Sequence, residues 1–281
     1  MDEFKQSGQS GVTIPPHARL SINHCNLPAA VLGSLNYHLH PAPLYIDGVL
    51  DLHHLFFSAL GSIADATERA LHFRHYMKLS FLLNHPDEAG FQEKSRHSRR
   101  IRADYLRALR GWFFDANGRE AAVLKSWVES RFGLLPRNHH GPLGDFSGDN
   151  YQHYLAARAE GLYNTNALES QLDLLYTFCQ HELRRQYPKQ SHLTLYRGVN
   201  RIQDHEILAS PRPRHYIVVM NNLNSFTADR DRADEFGDYI LETRLPLTKL
   251  VCTSDTLPGV LQGEEEYLAI GGVYAVVLKT L

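Results

Sequence analysis

The chain has 281 residues, of which 43% are hydrophobic and 21% charged, the composition of a folded globular protein and not of a disordered one. Its 29 Lys and Arg residues against 31 Asp and Glu residues give a formal net charge of −2, which argues against a general nucleic-acid-binding protein. The sequence lacks the roughly 18 consecutive apolar residues of a membrane span and the apolar segment of a signal peptide, so we expect a cytoplasmic protein.

The first part of the chain has a helical pattern. Residues 1–18, with Gly and Pro among polar residues, are predicted to form a flexible N-terminal segment. In residues 19–187, apolar residues recur at spacings of three and four, which predicts a mainly helical region. The expected helices are two helices or one broken helix between residues 47 and 86, one over 101–114, one over 119–132 with Gly133 as its cap, and one over 167–187.

From residue 188 to residue 281 the pattern changes to short segments rich in Val, Ile, Leu and Tyr. These segments predict six strands, over residues 193–199, 216–220, 239–245, 249–252, 267–270 and 273–278. Only residues 228–236 between them look helical. Helices followed by strands predict an α+β fold, with a helical N-terminal half packed on a mixed β-sheet in one integrated domain.

Cysteine and histidine give little support to a metal site. Cys25, Cys179 and Cys252 are widely spaced and form no Cys-x-x-Cys pair, which predicts three buried or inert thiols without a disulfide. The 17 histidines lie mostly in the helical region, without a His-Glu-x-x-His motif. We therefore expect no bound metal.

Two motifs in the strand-rich region carry side chains suited to binding an anion. Arg197 offers a planar fork that fits a phosphate, and Gly198 lets a ligand approach the backbone closely. Ser225 and Thr227 share one face of an extended segment, which leaves Phe226 to pack into the core. Alone, each motif is more typical of a strand edge or a helix cap.

A third motif, Glu264-Glu265-Glu266, enters the fifth predicted strand. In an extended segment Glu264 and Glu266 project to the same face, about 7 Å apart. A glutamate triplet is usually a solvated surface, but two carboxylates on one face are also suited to acid–base chemistry.

The order Arg, then Ser-x-Thr, then Glu-x-Glu resembles the arginine-directed mono-ADP-ribosyltransferases with an Arg–Ser–Glu signature. The sequence of the strand-rich half is similar to the bacterial dinitrogenase reductase ADP-ribosyltransferases at residues 196–200, 225–230, 235–238 and 263–268. The helical half is similar to the same family at residues 26–34, 43–49 and 103–136. The resemblance therefore covers nearly the whole chain. Phe226 and Thr227 stand where the wider superfamily commonly has Thr-Ser.

The resemblance implies an ADP-ribosyltransferase core in residues 188–281 with NAD as co-substrate. Arg197 would lie near the phosphates, the Gly198 backbone against the nicotinamide amide, and Ser225 with Thr227 in support of the site. Glu266 would hold the nicotinamide ribose, where a carboxylate complements an oxocarbenium-like charge. Glu264 would orient the acceptor arginine and draw off its proton.

By the same resemblance, the protein substrate is dinitrogenase reductase, its modification switches off nitrogen fixation, and a PII-type signalling protein is the regulator. Two alternatives stay open: the same chemistry on another arginine-bearing protein, and a catalytically silent binding module. The basic run over residues 94–102 could steer an acidic partner, and residues 254–262 could recognise the acceptor.

Overall fold

The computed structural model describes residues 11–83, 104–161, 165–258 and 266–280. Nine of its described α-helices precede the strands, and the tenth lies between the third and fourth strands. The α-helices are α1 (Ala29–Leu32), α2 (Leu35–Leu39), α3 (Val49–Leu52), α4 (His54–Gly61), α5 (Ala66–Ser80), α6 (Tyr105–Phe114), α7 (Arg119–Phe132), α8 (Asp149–Gly161), α9 (Thr165–Gln186) and α10 (Arg230–Asp234). No helix of these described residues is long and apolar enough to cross a membrane.

Local sequence signals account for where most of the helices begin and end. Asp65 and Asp104 accept backbone hydrogen bonds at the start of α5 and α6, as N-caps do. Gly133 ends α7 with φ at 70°, so the predicted cap is confirmed. The described part of the predicted flexible segment, residues 11–18, instead packs against the fold, because Ile14 and Ala18 are buried in its core.

The strands form one six-stranded sheet in the described residues. They are β1 (His192–Val199), β2 (Glu206–Arg212), β3 (His215–Thr227), β4 (Tyr239–Pro246), β5 (Leu250–Thr253) and β6 (Glu266–Thr280). β2 was not predicted, and β6 was predicted as two separate strands. The α+β class is confirmed.

All strand pairings of the described sheet are antiparallel, where the sequence led us to expect a mixed sheet. For β2 and β3 the physical reason is their connection, since a tight turn joins them and parallel neighbours need a crossover of a dozen or more residues. β3 pairs with both β1 and β6, and β4 also pairs with both β1 and β6. These four strands therefore close on one another.

Both faces of the central strands are buried, because side chains alternate along a strand. On β3, Ile217 and Val219 join the hydrophobic cluster that contains α5, α6, α7 and α9. Val218 and Met220 join a second cluster enclosed by the sheet. The helical and strand-rich regions thus share one core, and the end of β3 packs into it.

The three cysteines are free and buried, as predicted. Burial raises the pKa of Cys25 to about 11 and that of Cys179 to about 12. Since the thiolate is the reactive form, these thiols are inert at neutral pH.

Candidate active site

The register of the sheet brings the three motifs to one place. Tyr196 of β1 lies opposite Thr227 of β3, and Thr227 lies opposite Glu266 of β6. A cleft of about 250 Å³ opens where these strands meet. We call it the strand-end cleft; its walls include five predicted site residues, Arg197, Gly198, Ser225, Thr227 and Glu266.

Arg197 is the cation of the strand-end cleft. Its Nη1 donates a hydrogen bond of 2.7 Å to the backbone carbonyl of Ser225, which fixes the guanidinium against β3. Burial lowers the pKa of Arg197, and the nearby Glu266 carboxylate opposes that shift. Its Nε is buried and makes no hydrogen bond to any described residue. An anionic oxygen would satisfy such a donor, so this side of the cleft is suited to an anion.

The Ser225-Phe226-Thr227 motif alternates as an extended segment should. Phe226 is buried and stacks on Tyr274, with ring centroids 6.1 Å apart, so its predicted place in the core is confirmed. The Thr227 hydroxyl accepts a hydrogen bond of 3.1 Å from the backbone N–H of Asp229, just before α10. This contact ties the end of β3 to the turn that leads into α10.

Gly198 is required for packing. A Cβ at this position would overlap the backbone carbonyl of Ala233 in α10 and lie 2.8 Å from the carbonyl carbon of Phe236. Close approach of a ligand to the Gly198 backbone stays a prediction. The structure adds a packing reason for the glycine, because α10 and the turn after it lie directly on β1 here.

Glu266 begins β6 and is half-buried at the edge of the strand-end cleft. Glu264 lies outside the described residues, so its predicted position on the same face as Glu266 stays a prediction. The basic run over residues 94–102 and residues 259–262 of the proposed acceptor segment also lie outside them. In the described part of that segment, Thr256 and Leu257 are buried.

Trp112 was not among the predicted site residues. It lies in the helical region and contacts Ser225 of the site. The indole N–H of this α6 residue donates a hydrogen bond of 2.8 Å to the hydroxyl of Ser225. Trp112 also lines a second cavity of about 450 Å³, the helix-side chamber, which extends from Arg197 to Lys125 and Arg137. The only signal in the sequence was a tryptophan on the apolar face of a predicted helix.

Lys125 forms the buried wall of the helix-side chamber. Its ammonium group donates hydrogen bonds to the carbonyls of Ala116 and Asn138, at 2.8 and 2.9 Å. Burial lowers the pKa of Lys125 to about 7, although Asp115 favours the charged form. This lysine therefore holds together the two loops that flank α7.

The described residues contain no group of three or more His, Cys, Asp and Glu side chains that could hold a metal ion. Several of the histidines make hydrogen bonds within the fold. His192 Nε2 lies 2.8 Å from the carbonyl oxygen of His38, and His53 Nδ1 lies 2.9 Å from the hydroxyl of Tyr76.

An arginine on one strand, Ser-x-Thr on the next and a glutamate at the start of a third, joined at one cleft of an α+β fold, are the features of an NAD-dependent ADP-ribosyltransferase. The comparison with known sequences is more specific. A sequence model of the family described as dinitrogenase reductase ADP-ribosyltransferase matches residues 22–278, and the chain belongs to this family.

The chain is also similar to a Rhodospirillum rubrum protein named NAD(+)–dinitrogen-reductase ADP-D-ribosyltransferase. The two are 40% identical over 258 residues, which cover 91% of this chain and 94% of the relative. No solved structure matches the chain. The family resemblance seen in the sequence is confirmed.

Proposed function

We propose that this chain transfers one ADP-ribose group from NAD to an arginine of dinitrogenase reductase and thereby inactivates that protein. Family membership over residues 22–278 and the name of the Rhodospirillum rubrum relative support the reaction and its protein substrate. The observation that carries the proposal is the sheet register, which joins Arg197, Ser225 and Glu266 at one cleft.

The chemistry divides between a bond that breaks and a bond that forms. NAD, when bound, supplies the ADP-ribosyl group and nicotinamide as the leaving group, which departs with the electron pair of the ribose–nitrogen bond. The new bond joins the same ribose carbon to a guanidinium nitrogen of the acceptor, which loses a proton. Glu266 is half-buried at the edge of the strand-end cleft, and with NAD bound there its negative charge would stabilise the oxocarbenium-like transition state.

Arg197 binds the phosphates in this proposal. Its Nη1 is already held by the Ser225 carbonyl, whereas its buried Nε is a donor that an anion can use. The helix-side chamber continues from Arg197 and provides further volume for the part of the dinucleotide beyond the phosphates. A fixed guanidinium loses little conformational entropy on binding, which favours affinity.

Arginine specificity depends on the acceptor side of the cleft. A guanidinium has a pKa above 12, so it becomes a nucleophile only when a base orients it and accepts its proton. We assign this role to Glu264, which stands two residues before Glu266 in the sequence. The assignment depends on that spacing and on the family resemblance.

The family resemblance also supports a PII-type signalling protein as the regulator, and we place the reaction in the cytoplasm. Co-purification of the chain with a PII-type protein under nitrogen-replete conditions tests the regulator. Absence of the complex under every nitrogen condition would contradict this assignment.

The proposed function is tested by incubating the purified chain with labelled NAD and an extract of nitrogen-fixing cells. We expect label on the dinitrogenase reductase band. Label on a different protein would favour the same chemistry with another target. A folded chain that labels nothing, in the extract or with purified dinitrogenase reductase, would favour a catalytically silent module.

A further inference from the structure

Trp112 is the one helical residue that donates a described hydrogen bond to the Ser-x-Thr motif. It lies on α6, is 3% exposed, and is separated from Ser225 by 113 positions in the chain. Its N–H donates to the Ser225 hydroxyl at 2.8 Å. This bond is therefore a directional contact between the described helical region and the Ser-x-Thr motif.

We propose that Trp112 is a positioning residue for the reaction: its indole N–H holds Ser225, and through Ser225 it holds Arg197 in the geometry that binds the NAD phosphates. This inference depends on the proposed function. Trp112 acts through Ser225 because its N–H bonds the serine hydroxyl, while the carbonyl of the same serine accepts the hydrogen bond from Arg197 Nη1.

The indole is itself held firmly, as a positioning residue must be. α6 and α7 approach so closely at Gly111 that a Cβ there would overlap the side chain of Glu120. The ammonium group of Lys125 lies 5.7 Å from the centre of the Trp112 ring, within the range of a cation–π contact. The position of the N–H is therefore set by the packing of two helices and by the buried Lys125 side chain.

The chain contains two tryptophans, and the other one provides a matched control. Trp127 of α7 is also buried, and its indole N–H donates a hydrogen bond of 2.7 Å to Asp173 of α9. Trp127→Phe removes the same type of hydrogen bond from the same helical region, at a place without contact to the strand-end cleft. Trp112→Phe removes the bond to Ser225 together with part of the indole and keeps an aromatic ring, so the loss of ring volume is matched in the two variants.

We expect Trp112→Phe to weaken NAD binding and to lower kcat/KM for NAD by about 3- to 10-fold, the value of one hydrogen bond. Trp127→Phe should lower Tm and leave kcat/KM for NAD unchanged. Ser225→Ala, which removes the acceptor and leaves the indole in place, should reproduce the loss. In a Ser225→Ala background Trp112→Phe should have little further effect, because both changes break the same contact.

Calorimetric titration of the full chain with NAD measures the binding constant of each variant directly, independently of transfer to a protein. If Trp112→Phe binds NAD as tightly as Trp127→Phe and the parent, the positioning role is overturned and the indole is only structural. Fully additive losses for Trp112→Phe and Ser225→Ala would also overturn it. A parent chain that binds NAD but modifies no protein would contradict the proposed function and not the positioning role, which the binding constants test independently.

Discussion

Replacing Glu266 by Gln removes one negative charge from the strand-end cleft and keeps the shape of the side chain. Glu266 is the first residue of β6, is half-buried, and favours the charged state of Arg197. The variant should leave Arg197 in place, because its Nη1 stays bonded to the Ser225 carbonyl. Its loss should therefore appear in kcat, since the carboxylate acts on charge that develops in the transition state.

The size of the loss follows from the role given to the carboxylate. Charge stabilisation and acid–base assistance are worth about 100- to 10,000-fold in rate, or about 2.7–5.5 kcal/mol at 1.36 kcal/mol for each factor of ten. A strand-end Gln in place of Glu266 should change the free energy of unfolding by less than about 1 kcal/mol. Glu266→Gln should thus lose most of its transfer activity while its stability stays close to that of the parent.

The assay is transfer of labelled ADP-ribose to purified dinitrogenase reductase, with unfolding followed by circular dichroism. Glu242→Gln is the matched control, because Glu242 is a half-buried glutamate of β4 that forms an ion pair of 3.6 Å with Lys279, outside the strand-end cleft. It should transfer at the parental rate. Transfer by Glu266→Gln within about threefold of the parent would refute the role of this carboxylate.

Three further changes test the packing and buried charges of the fold. Gly198→Ala should destabilise the protein by about 1–3 kcal/mol in thermal unfolding, because the new Cβ overlaps the carbonyl of Ala233 in α10. Arg69→Met should lower the free energy of unfolding in urea by about 3–5 kcal/mol, because it leaves Glu182 without its buried partner at 2.7 Å. In the parent chain, Lys125 should make the free energy of unfolding rise with pH between its folded pKa of about 7 and its ordinary value of 10.5, because over this range the unfolded chain binds a proton on this amine that the folded chain lacks. Lys125→Met should remove this rise.

Each of these changes has an outcome that would contradict the reasoning. Gly61→Ala, whose Cβ would meet no atom within 4 Å, should be neutral or slightly stabilising, and an equal loss there would remove the packing account of Gly198. A loss below about 1 kcal/mol for Arg69→Met would show that the buried pair is unimportant. An unchanged slope of stability against pH for Lys125→Met would show that this amine stays protonated in the folded chain.

The motifs of the site were predictable because they depend on local chemistry. Arg197, Ser225 and Glu266 are recognisable as residue types at set positions, and the alternation that buries Phe226 follows from strand geometry. Trp112 was not predictable, because its bond to Ser225 spans 113 positions and depends on how α6 packs against β3.

Two errors in the strands have physical causes. β2 contains Pro211 and an exposed Ile207, and it pairs only with β3 in the described sheet, so its own sequence lacks the pattern of a buried strand. Gly271 and Gly272 suggested a break in β6. In the structure they allow the strand to continue, since a Cβ on Gly271 would overlap the carbonyl of Asn221 and Gly272 has φ at 110°.

In the proposed reaction the strand-end cleft places one ADP-ribose group from NAD on an arginine of dinitrogenase reductase. Mass spectrometry of dinitrogenase reductase, after incubation with NAD and the purified chain, would detect this product. We predict a single ADP-ribose adduct on one arginine, absent when the chain carries Glu266→Gln. An unmodified protein, or an adduct on a residue other than arginine, would contradict it.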